Sequence, residues 1–327
     1  MNEFKKPLIS IITPSWNREK FLEKLANSLI IQKYKNFEWI VGNDGSTDRT
    51  DDVIRSIAKR VDFKIIYINS SLRIGKAALD NIMLEHVSGE YVSWCGSDDF
   101  FLPDAIENIS NLISQIPKDK KKDYVGIYAQ NVDTFNNSQT FNDIPKEDIH
   151  MAWEDLCEII KGDGTIVERF EILKGYKFLE VDFLISESSL LPKLYKEKKF
   201  ILTPKILKIM DRTAENSISF GKKLCYSRGS AHCIAQVETL DNFKKHSLAS
   251  RIKIIINFWR YSIHGDINFV QAKNMLEPVK KNILYSLLYL ISWIICLRDN
   301  MLDKVEKTHI EFLKNINSKK IIIEHLT

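Results

Sequence analysis

Residues 8–50 read LISIITPSWNREKFLEKLANSLIIQKYKNFEWIVGNDGSTDRT, and this stretch decides the fold. It holds a short apolar run rich in β-branched residues at Leu8–Thr13, a helical pattern at Glu19–Gln32 and a second strand-like run at Phe37–Val41. Short apolar runs are typical of strands that are covered on both faces of a sheet. Two such runs joined by a helix predict a parallel βαβ unit with a right-handed crossover.

The same alternation continues to about residue 135. The predicted elements are a helix at Asp51–Ala58, a strand at Phe63–Ile68, a helix at Gly75–His86, a strand at Tyr91–Cys95, a helix at Pro103–Ile113 and a strand at Tyr124–Val132. This pattern predicts an α/β fold with a mainly parallel, Rossmann-like sheet flanked by helices.

The pattern changes in the second half of the chain. A polar loop near residue 136 precedes predicted helices at Ile149–Lys161 and Ser189–Lys198, with a short strand between them. From Asp241 to the end the sequence predicts helices. We therefore expect three regions, 1–135, 136–240 and a helical C-terminal region at 241–327.

Composition excludes several classes of protein. The net charge of +4 gives no nucleic-acid signal, and the lysine run at 118–122 is typical of a solvated loop. The five cysteines include no CxxC pair, so neither a disulfide framework nor a structural zinc site is expected. These features favour the reducing cytoplasm.

One segment of the C-terminal region is unusually apolar. Ile283–Leu297 is almost wholly apolar and is flanked by Lys280, Lys281 and Arg298. As a helix it would span roughly 22 Å, less than the ~30 Å hydrocarbon core of a bilayer. The sequence favours a buried core helix over an interfacial helix on anionic lipid, and it disfavours a transmembrane span.

Polar residues follow three of the predicted strands. Pro14–Arg18 follow the first strand, Asn43 and Asp44 the second, and Ser97–Asp99 a later one. Because ligands bind beyond the carboxyl ends of parallel strands, we expect these loops to meet at one cleft. No GxGxxG motif follows the first strand, which argues against a dinucleotide-dependent oxidoreductase.

The paired acids Asp98 and Asp99 have two interpretations. Acidic residues complement the dipole at a helix N-terminus, and a helix is predicted to begin at Pro103. The functional interpretation is a Mg²⁺ or Mn²⁺ site, since these ions are held by one or two carboxylates together with substrate phosphates. Asp44 likewise belongs either to a simple Asp-Gly turn or to a site that contacts a base or ribose.

Three segments in this order resemble glycosyltransferase family 2. They are LISIITPSWNREKFLEKLANSLIIQ, FEWIVGNDGSTDRT and RIGKAALDNIMLEHVSGEYVSWCGSDDFFLP, and the resemblance covers roughly residues 6 to 135. It implies a GT-A fold and an inverting transfer of a sugar from a nucleoside-diphosphate donor, commonly a UDP-sugar, assisted by Mg²⁺ or Mn²⁺. It makes region 1–135 the nucleotide-sugar-binding half and region 136–240 the acceptor-binding half of one catalytic domain.

The resemblance also implies roles for individual residues. Pro14 and Trp16 match the family's proline–aromatic motif near the base, with Trp16 where tyrosine is usual. Asp44 matches the acid that contacts the base, and Arg73 falls near a basic position that contacts the donor. Asp98 matches the last aspartate of the DxD motif, which binds the metal.

Two positions depart from the family pattern. Gly96 stands at the first position of DxD, so the ribose contact expected there is missing or supplied elsewhere. Asn43 replaces the first acid of the usual DDGS motif.

The general base is expected about 90 residues after the metal ligand. That distance leads to Val181–Leu191, where we choose Glu187, with Asp182 as the alternative. Asp211 and Glu215 are weaker candidates, which could instead shape the acceptor site. His232 could reach the metal or diphosphate, although a lone histidine is more often structural.

The expected partners are a nucleotide-sugar donor and a saccharide or lipid-linked acceptor, in surface polysaccharide synthesis, with no nucleic acid. The C-terminal region leaves open a peripheral contact with the inner face of the membrane, or a homo-oligomer. A non-catalytic nucleotide-sugar-binding protein, degenerate at Gly96, is the alternative function.

Overall fold

A computed structural model describes residues 9–134, 138–139, 145–159, 164–178, 180, 191–211, 224–225, 247–275, 283–302, 305–306 and 320–326. The chain forms two compact units. The first comprises Met1–Lys177, Leu194–Ser217 and Asn315–Thr327, and the second comprises Phe178–Lys193 and Ile218–Lys314. The functional boundaries expected near residues 135 and 240 stay a prediction.

The first unit is a mixed sheet with flanking helices. Its strands are β1 (Ile9–Ser15), β2 (Phe37–Asp44), β3 (Lys64–Ser70), β4 (Tyr91–Trp94), β5 (Phe100–Phe101), β6 (Tyr124–Asp133), β7 (Ser138–Gln139), β8 (Ile149–Ala152), β9 (Thr165–Arg169), β10 (Lys199–Met210) and β13 (Ile321–His325). Its helices are α1 (Leu22–Ile30), α2 (Thr50–Ala58), α3 (Lys76–Glu85), α4 (Ala105–Ser114), α5 (Trp153–Ile159) and α6 (Phe170–Leu173), with a 3-10 turn at Lys118–Asp123. The boundary between the units falls within α7 (Leu191–Tyr195).

The strand order is β13-β3-β2-β1-β4-β9-β6-β10-β5, with β7 on β6 and β8 on β10. β1 pairs in parallel with both β2 and β4, and β2 pairs in parallel with β3. β9 is antiparallel to β4 and β6. The predicted α/β class with a mainly parallel, helix-flanked core is confirmed, and the carboxyl ends of β1–β4 lie along one edge.

Burial explains why the central strands form. Every residue of β2 is buried, and β1 is buried except for Pro14. α1 covers one face of the sheet with residues spaced three and four apart, namely Leu22, Leu25, Ala26 and Leu29. Strands covered on both faces need continuous apolar runs, and this is the pattern seen in the sequence.

Three secondary-structure predictions were wrong. Ile149–Ala152 is strand β8 instead of the start of a helix, because its backbone pairs antiparallel with β10. β10 was not predicted, since Pro204 interrupts its pattern, and the ladder to β6 shifts register between Thr203 and Ile206 to accommodate it. Ile321–His325 is strand β13, antiparallel to β3, within a region predicted to be helical.

The second unit contains helices α8 (Leu248–His264), α9 (Phe269–Met275) and α10 (Ile283–Met301), and a short pair of strands, β11 (Leu224–Cys225) and β12 (Val305–Glu306). Ile255, Phe258, Trp259 and Ala272 form its buried core. The favoured interpretation of 283–297 as a buried core helix is wrong, because one face of α10 is exposed. Among the described residues, no helix has both the length and the apolar character needed to cross a membrane.

Candidate active site

The loops after β1 and β2 are joined by side-chain hydrogen bonds. Asn17, which adopts a positive φ of 52°, accepts a bond from the backbone N–H of Thr47 at 2.9 Å. Its own backbone N–H donates to the Ser46 hydroxyl at 2.9 Å. Asp48 accepts bonds from the backbone N–H groups of Thr50 and Glu19, directly before α2 begins. These contacts hold two loops together that are about 30 residues apart in sequence.

Asp44 ends β2 and binds the loop that precedes α3. Its carboxylate accepts bonds from the backbone N–H of Ile74 at 2.6 Å and from that of Gly75 at 3.1 and 3.2 Å. Burial raises the pKa of Asp44 more than these bonds and the nearby Arg73 lower it. The sequence did not reveal this backbone role for Asp44.

Arg73 lies flat against Trp16. Its guanidinium carbon is 3.6 Å from the centre of the Trp16 ring system, which is a close cation–π contact. Burial lowers the pKa of Arg73, and the charge of Asp44 opposes that effect. Trp16, Asp44 and Arg73, which were predicted separately, therefore belong to one cluster. Pro14 lies in β1, two residues before Trp16.

A glycine is required where these loops approach one another. Gly45 has a φ of +62°, and a Cβ built on it would lie 2.4 Å from the carbonyl carbon of Leu72 and 2.5 Å from the nitrogen of Arg73. Because both atoms belong to the backbone, neither can move aside cheaply. The Asp-Gly turn therefore sets the position of the Arg73 backbone against the end of β2.

The fourth loop carries the paired acids. A Cβ built on Gly96 would lie 3.0 Å from Asp98 Oδ1 and 3.0 Å from Asp99 Oδ2, so both carboxylates fold back over this glycine. A side chain at position 96, such as the family's aspartate, would need this space. The oxygen atoms of two adjacent carboxylates are the ligand type that Mg²⁺ and Mn²⁺ prefer, so the residues present fit such an ion.

Lys208 of β10 contacts both the end of β4 and the acidic pair. Its ammonium donates to the carbonyl of Trp94 at 3.0 Å and lies 3.9 Å from Asp99 Oδ2, and its side chain is buried. The lysine offsets part of the negative charge of the acidic pair. Lys208 was not identified from the sequence, because it lies in β10, which was not predicted owing to Pro204.

A buried acid was also missed. Glu168 of β9 accepts hydrogen bonds from the Trp94 indole at 2.8 Å and from the Tyr195 hydroxyl at 2.5 Å. Burial raises the pKa of Glu168 to about 7, although both hydrogen bonds act to lower it. A single glutamate in a short strand carries no sequence signal that would separate it from a solvent-facing residue.

The candidates for the general base lie mostly outside the described residues. Glu187, Asp182, Glu215 and His232 fall in segments that the structure does not describe. Asp211 is described and is buried, and Lys24 binds it at 2.8 Å. The same ammonium lies 4.1 Å from the ring centre of Phe100, directly after the acidic pair. Asp211 is therefore linked to the loop of Asp98 through one lysine.

Comparisons with known proteins identify the family of this chain. A sequence model described as glycosyl transferase family 2 matches residues 10–174. Glycosyltransferase GlyA of Streptococcus pneumoniae is 34% identical over 131 residues, which are 40% of this chain and 18% of GlyA. The GalNAc(5)-diNAcBac-PP-undecaprenol beta-1,3-glucosyltransferase of Campylobacter jejuni is 28% identical over 225 residues, 66% of this chain and 68% of that enzyme.

The structural similarity is broader than the sequence similarity. S. aureus TarS 1-349 in complex with UDP-GlcNAc superposes with a TM-score of 0.58 and 16% identity, over 89% of this chain and 81% of that one. The fold is therefore of the GT-A type. With half of its length matched by the family's sequence model, the chain belongs to glycosyltransferase family 2.

Proposed function

We propose that this chain transfers a sugar from a nucleoside-diphosphate donor to a hydroxyl group of an acceptor, with inversion. The observation that carries the proposal is the cluster of Trp16, Asp44 and Arg73 at the carboxyl ends of the parallel strands. In α/β sheets this edge is where nucleotides bind. Membership of glycosyltransferase family 2 supports the same activity.

The proposed roles follow from the contacts. The stacked Trp16 and Arg73 offer a flat ring and a fixed positive charge to the nucleotide, next to Pro14. Asp44 accepts three hydrogen bonds from the backbone N–H groups of Ile74 and Gly75. A carboxylate has about four acceptor positions, so one remains for the nucleotide base. The nucleotide would then bind against a loop that Asp44 itself holds in place.

We propose that Asp98 binds Mn²⁺ or Mg²⁺ and that Asp99 supports it, because both carboxylates fold over Gly96. Such an ion supplies positive charge that stabilises the diphosphate as it leaves. Glu187 is proposed as the general base that takes the proton from the acceptor hydroxyl. Its place in the sequence is the ground for this choice, as its segment lies outside the described residues.

The donor is proposed to be a UDP-sugar and the acceptor a saccharide or lipid-linked saccharide of a surface polysaccharide, reached from the cytoplasmic face of the membrane. TarS was crystallised with UDP-GlcNAc. The Campylobacter relative is named for an undecaprenol-linked acceptor, and a Bacillus subtilis relative, TuaG, is named for teichuronic acid biosynthesis. These names support a lipid-linked or cell-envelope acceptor for this chain.

A second candidate is a nucleotide-sugar-binding protein without catalytic activity. The specific observation in its favour is Gly96, where the family pattern has an acid. This alternative predicts donor binding without turnover. The two functions are therefore separated by an assay of chemistry alongside an assay of binding.

The test is a panel of nucleotide sugars assayed for Mn²⁺-dependent hydrolysis, with UDP binding followed by tryptophan fluorescence. We expect turnover of one UDP-sugar and a loss of about 10²–10³-fold in Asp98→Ala, the size typical of removing one group that stabilises developing charge. Asp104→Ala is the matched control, because this exposed acid lies six residues later, directly before α4, and pairs with Lys33. Wild-type UDP binding without any turnover would favour the non-catalytic alternative, and full activity in Asp98→Ala would refute the metal assignment.

A further inference from the structure

Helix α10 presents a continuous apolar surface to solvent. Seven large apolar side chains of the helix, together with Leu302 directly after it, are between 43% and 79% exposed and are here called the outward apolar face. They are Leu287, Leu290, Ile291, Trp293, Ile294, Leu297, Met301 and Leu302. Single exposed apolar residues are ordinary, but a contiguous patch of this kind marks an interaction site.

The opposite face of the helix explains why this one points outward. Leu288 and Tyr289 pack against the core formed by α8 and α9. Ser292 donates a hydrogen bond to the carbonyl of Ile256 in α8 at 3.0 Å. The rotation of α10 about its own axis is therefore set by these contacts, and the outward apolar face cannot turn into the core of this unit.

An ion-pair cluster at the end of α10 reinforces this orientation. Asp299 accepts two hydrogen bonds from Arg260 of α8, at 2.6 and 2.7 Å, and one from His264 at 3.1 Å. Asp299, His264 and Cys296 also have the spacing of a metal site, with ligand atoms within 4.8 Å of one another. Because the guanidinium already occupies both oxygens of Asp299, this cluster serves as a link between the helices.

The charges on α10 complement an anionic surface. Residues 287–302 contain one acidic side chain, Asp299, which is buried and neutralised by Arg260. Arg298, by contrast, is exposed. Among the described residues of the helix, the side open to solvent therefore carries a positive charge and no negative one. Lys280 and Lys281 precede the helix in the sequence.

We propose that the outward apolar face of α10 lies in the surface of a membrane that contains anionic lipid. A helix of this kind lies in the plane of the interface, with its apolar side chains about 5–10 Å into the headgroup region. Trp293 on this face is a residue type enriched at that depth. Contact between two copies of the face would place Arg298 on an apolar surface, where an anionic headgroup would instead neutralise it.

The experiment is co-sedimentation of the full chain with vesicles of phosphatidylcholine and phosphatidylglycerol, against vesicles of phosphatidylcholine alone. We expect binding to the anionic vesicles. The double variant Leu290→Glu/Ile294→Glu should bind at least about tenfold more weakly. Two apolar side chains that would be buried in the membrane are lost, and two negative charges that repel the anionic lipid are added. Ile31→Glu/Val270→Glu is the matched control, with exposed fractions of 56% and 65% against 60% and 61% at the tested positions.

Two further measurements keep the result interpretable. Arg298→Gln should reduce the preference for anionic over neutral vesicles and should weaken the salt dependence of binding. Circular dichroism should show that all variants fold, since the substituted side chains are exposed. Donor hydrolysis without vesicles should be the same in wild type and in Leu290→Glu/Ile294→Glu, so membrane binding and donor chemistry are tested separately.

Three outcomes would overturn the proposal. The wild-type chain does not sediment with anionic vesicles, or the tested and control variants bind equally well. In the third, light scattering shows that the wild type is an oligomer and that Leu290→Glu/Ile294→Glu is not, while neither protein binds vesicles. The outward apolar face would then be an interface between copies of the chain.

Discussion

Two buried glutamates in the same sheet have opposite pKa shifts. Burial raises the pKa of Glu38 in β2, but hydrogen bonds from Lys64, Ser10 and Ser88 outweigh it, and the net shift is downward. Glu168 in β9 is also buried but receives bonds from the neutral donors of Trp94 and Tyr195, and its pKa rises to about 7. The Lys64 ammonium at 2.7 Å favours the ionised form of Glu38 directly, and the bonds from Ser10 and Ser88 act in the same direction.

The raised pKa of Glu168 predicts a specific dependence of stability on pH. The folded state holds this proton more tightly than the unfolded chain, whose glutamate titrates near about 4.3. Stability from this group is therefore fully present below about pH 4.3 and is lost as the pH rises toward 7. Glu168→Gln cannot ionise, so the fall in unfolding free energy between pH 5 and pH 8 should be smaller by roughly 2–3 kcal/mol.

Urea unfolding at the two pH values measures this difference. Glu38→Gln is the matched control, because a lowered pKa places its titration below that pH window. It should be less stable than wild type at both pH values and should keep the wild-type slope between them. The interpretation of Glu168 fails if Glu168→Gln keeps that slope as well.

At the scale of elements, Gly42 sets the distance between β2 and α3. A Cβ built on Gly42 would lie 2.8 Å from Met83 Sδ and 2.9 Å from two carbons of Leu79. α3 begins directly after the loop that Asp44 and Arg73 organise. A glycine inside a fully buried strand therefore permits the close packing that brings this loop to the sheet edge.

Gly42→Ala should reduce the unfolding free energy by about 1–3 kcal/mol, because the added methyl group overpacks the contact with α3. UDP binding should weaken at the same time, as the Arg73 loop moves with the helix. Urea unfolding and fluorescence titration measure the two effects. Adding Met83→Ala makes room for the methyl group, so the double variant should lose less than the sum of the single losses. Strictly additive losses would contradict direct contact.

At the scale of the molecule, the end of the chain returns to the first unit and completes the sheet edge. β13 pairs antiparallel with β3, from Ile321 opposite Ser70 to His325 opposite Ile66. Glu324 receives two hydrogen bonds from Arg55 of α2, at 2.7 and 2.8 Å. Without β13, β3 would be an edge strand with unpaired backbone groups, which is a site for aggregation.

Deletion of residues 320–327 should lower the unfolding temperature and increase aggregation on heating. Differential scanning calorimetry and light scattering measure the two changes. Glu324→Gln removes the charge and keeps the strand, so it should lose at most about 1 kcal/mol, as expected for a partly exposed ion pair. An equal effect of both changes would show that the ion pair, and not the strand, stabilises this edge.

The sequence predicted much of the first unit, and it supplied the candidates for the site. The apolar runs of β1–β4 and the amphipathic helices between them are local patterns, so their class and order could be predicted without a structure. Trp16, Asp44 and Asp98 could likewise be chosen as candidates because they follow predicted strands, whereas Arg73 was chosen only from the family resemblance. Their assembly follows because parallel strands bring their carboxyl ends to one edge.

Contacts between distant residues could not be predicted in this way. The burial of Glu168 between Trp94 and Tyr195, and the use of Asp44 on the backbone of Ile74 and Gly75, depend on which strands and loops become neighbours.

By itself, then, the sequence determined the α/β class, the order of the first elements and the polar residue types that follow the parallel strands, because these depend on short-range patterns. The tertiary structure decided the strand nature of Lys199–Met210 and Ile321–His325, the packing of Lys208 under the acidic pair and the outward direction of the apolar face of α10. Strand pairing and helix rotation are set by partners far away in the chain, and no local pattern carries that information.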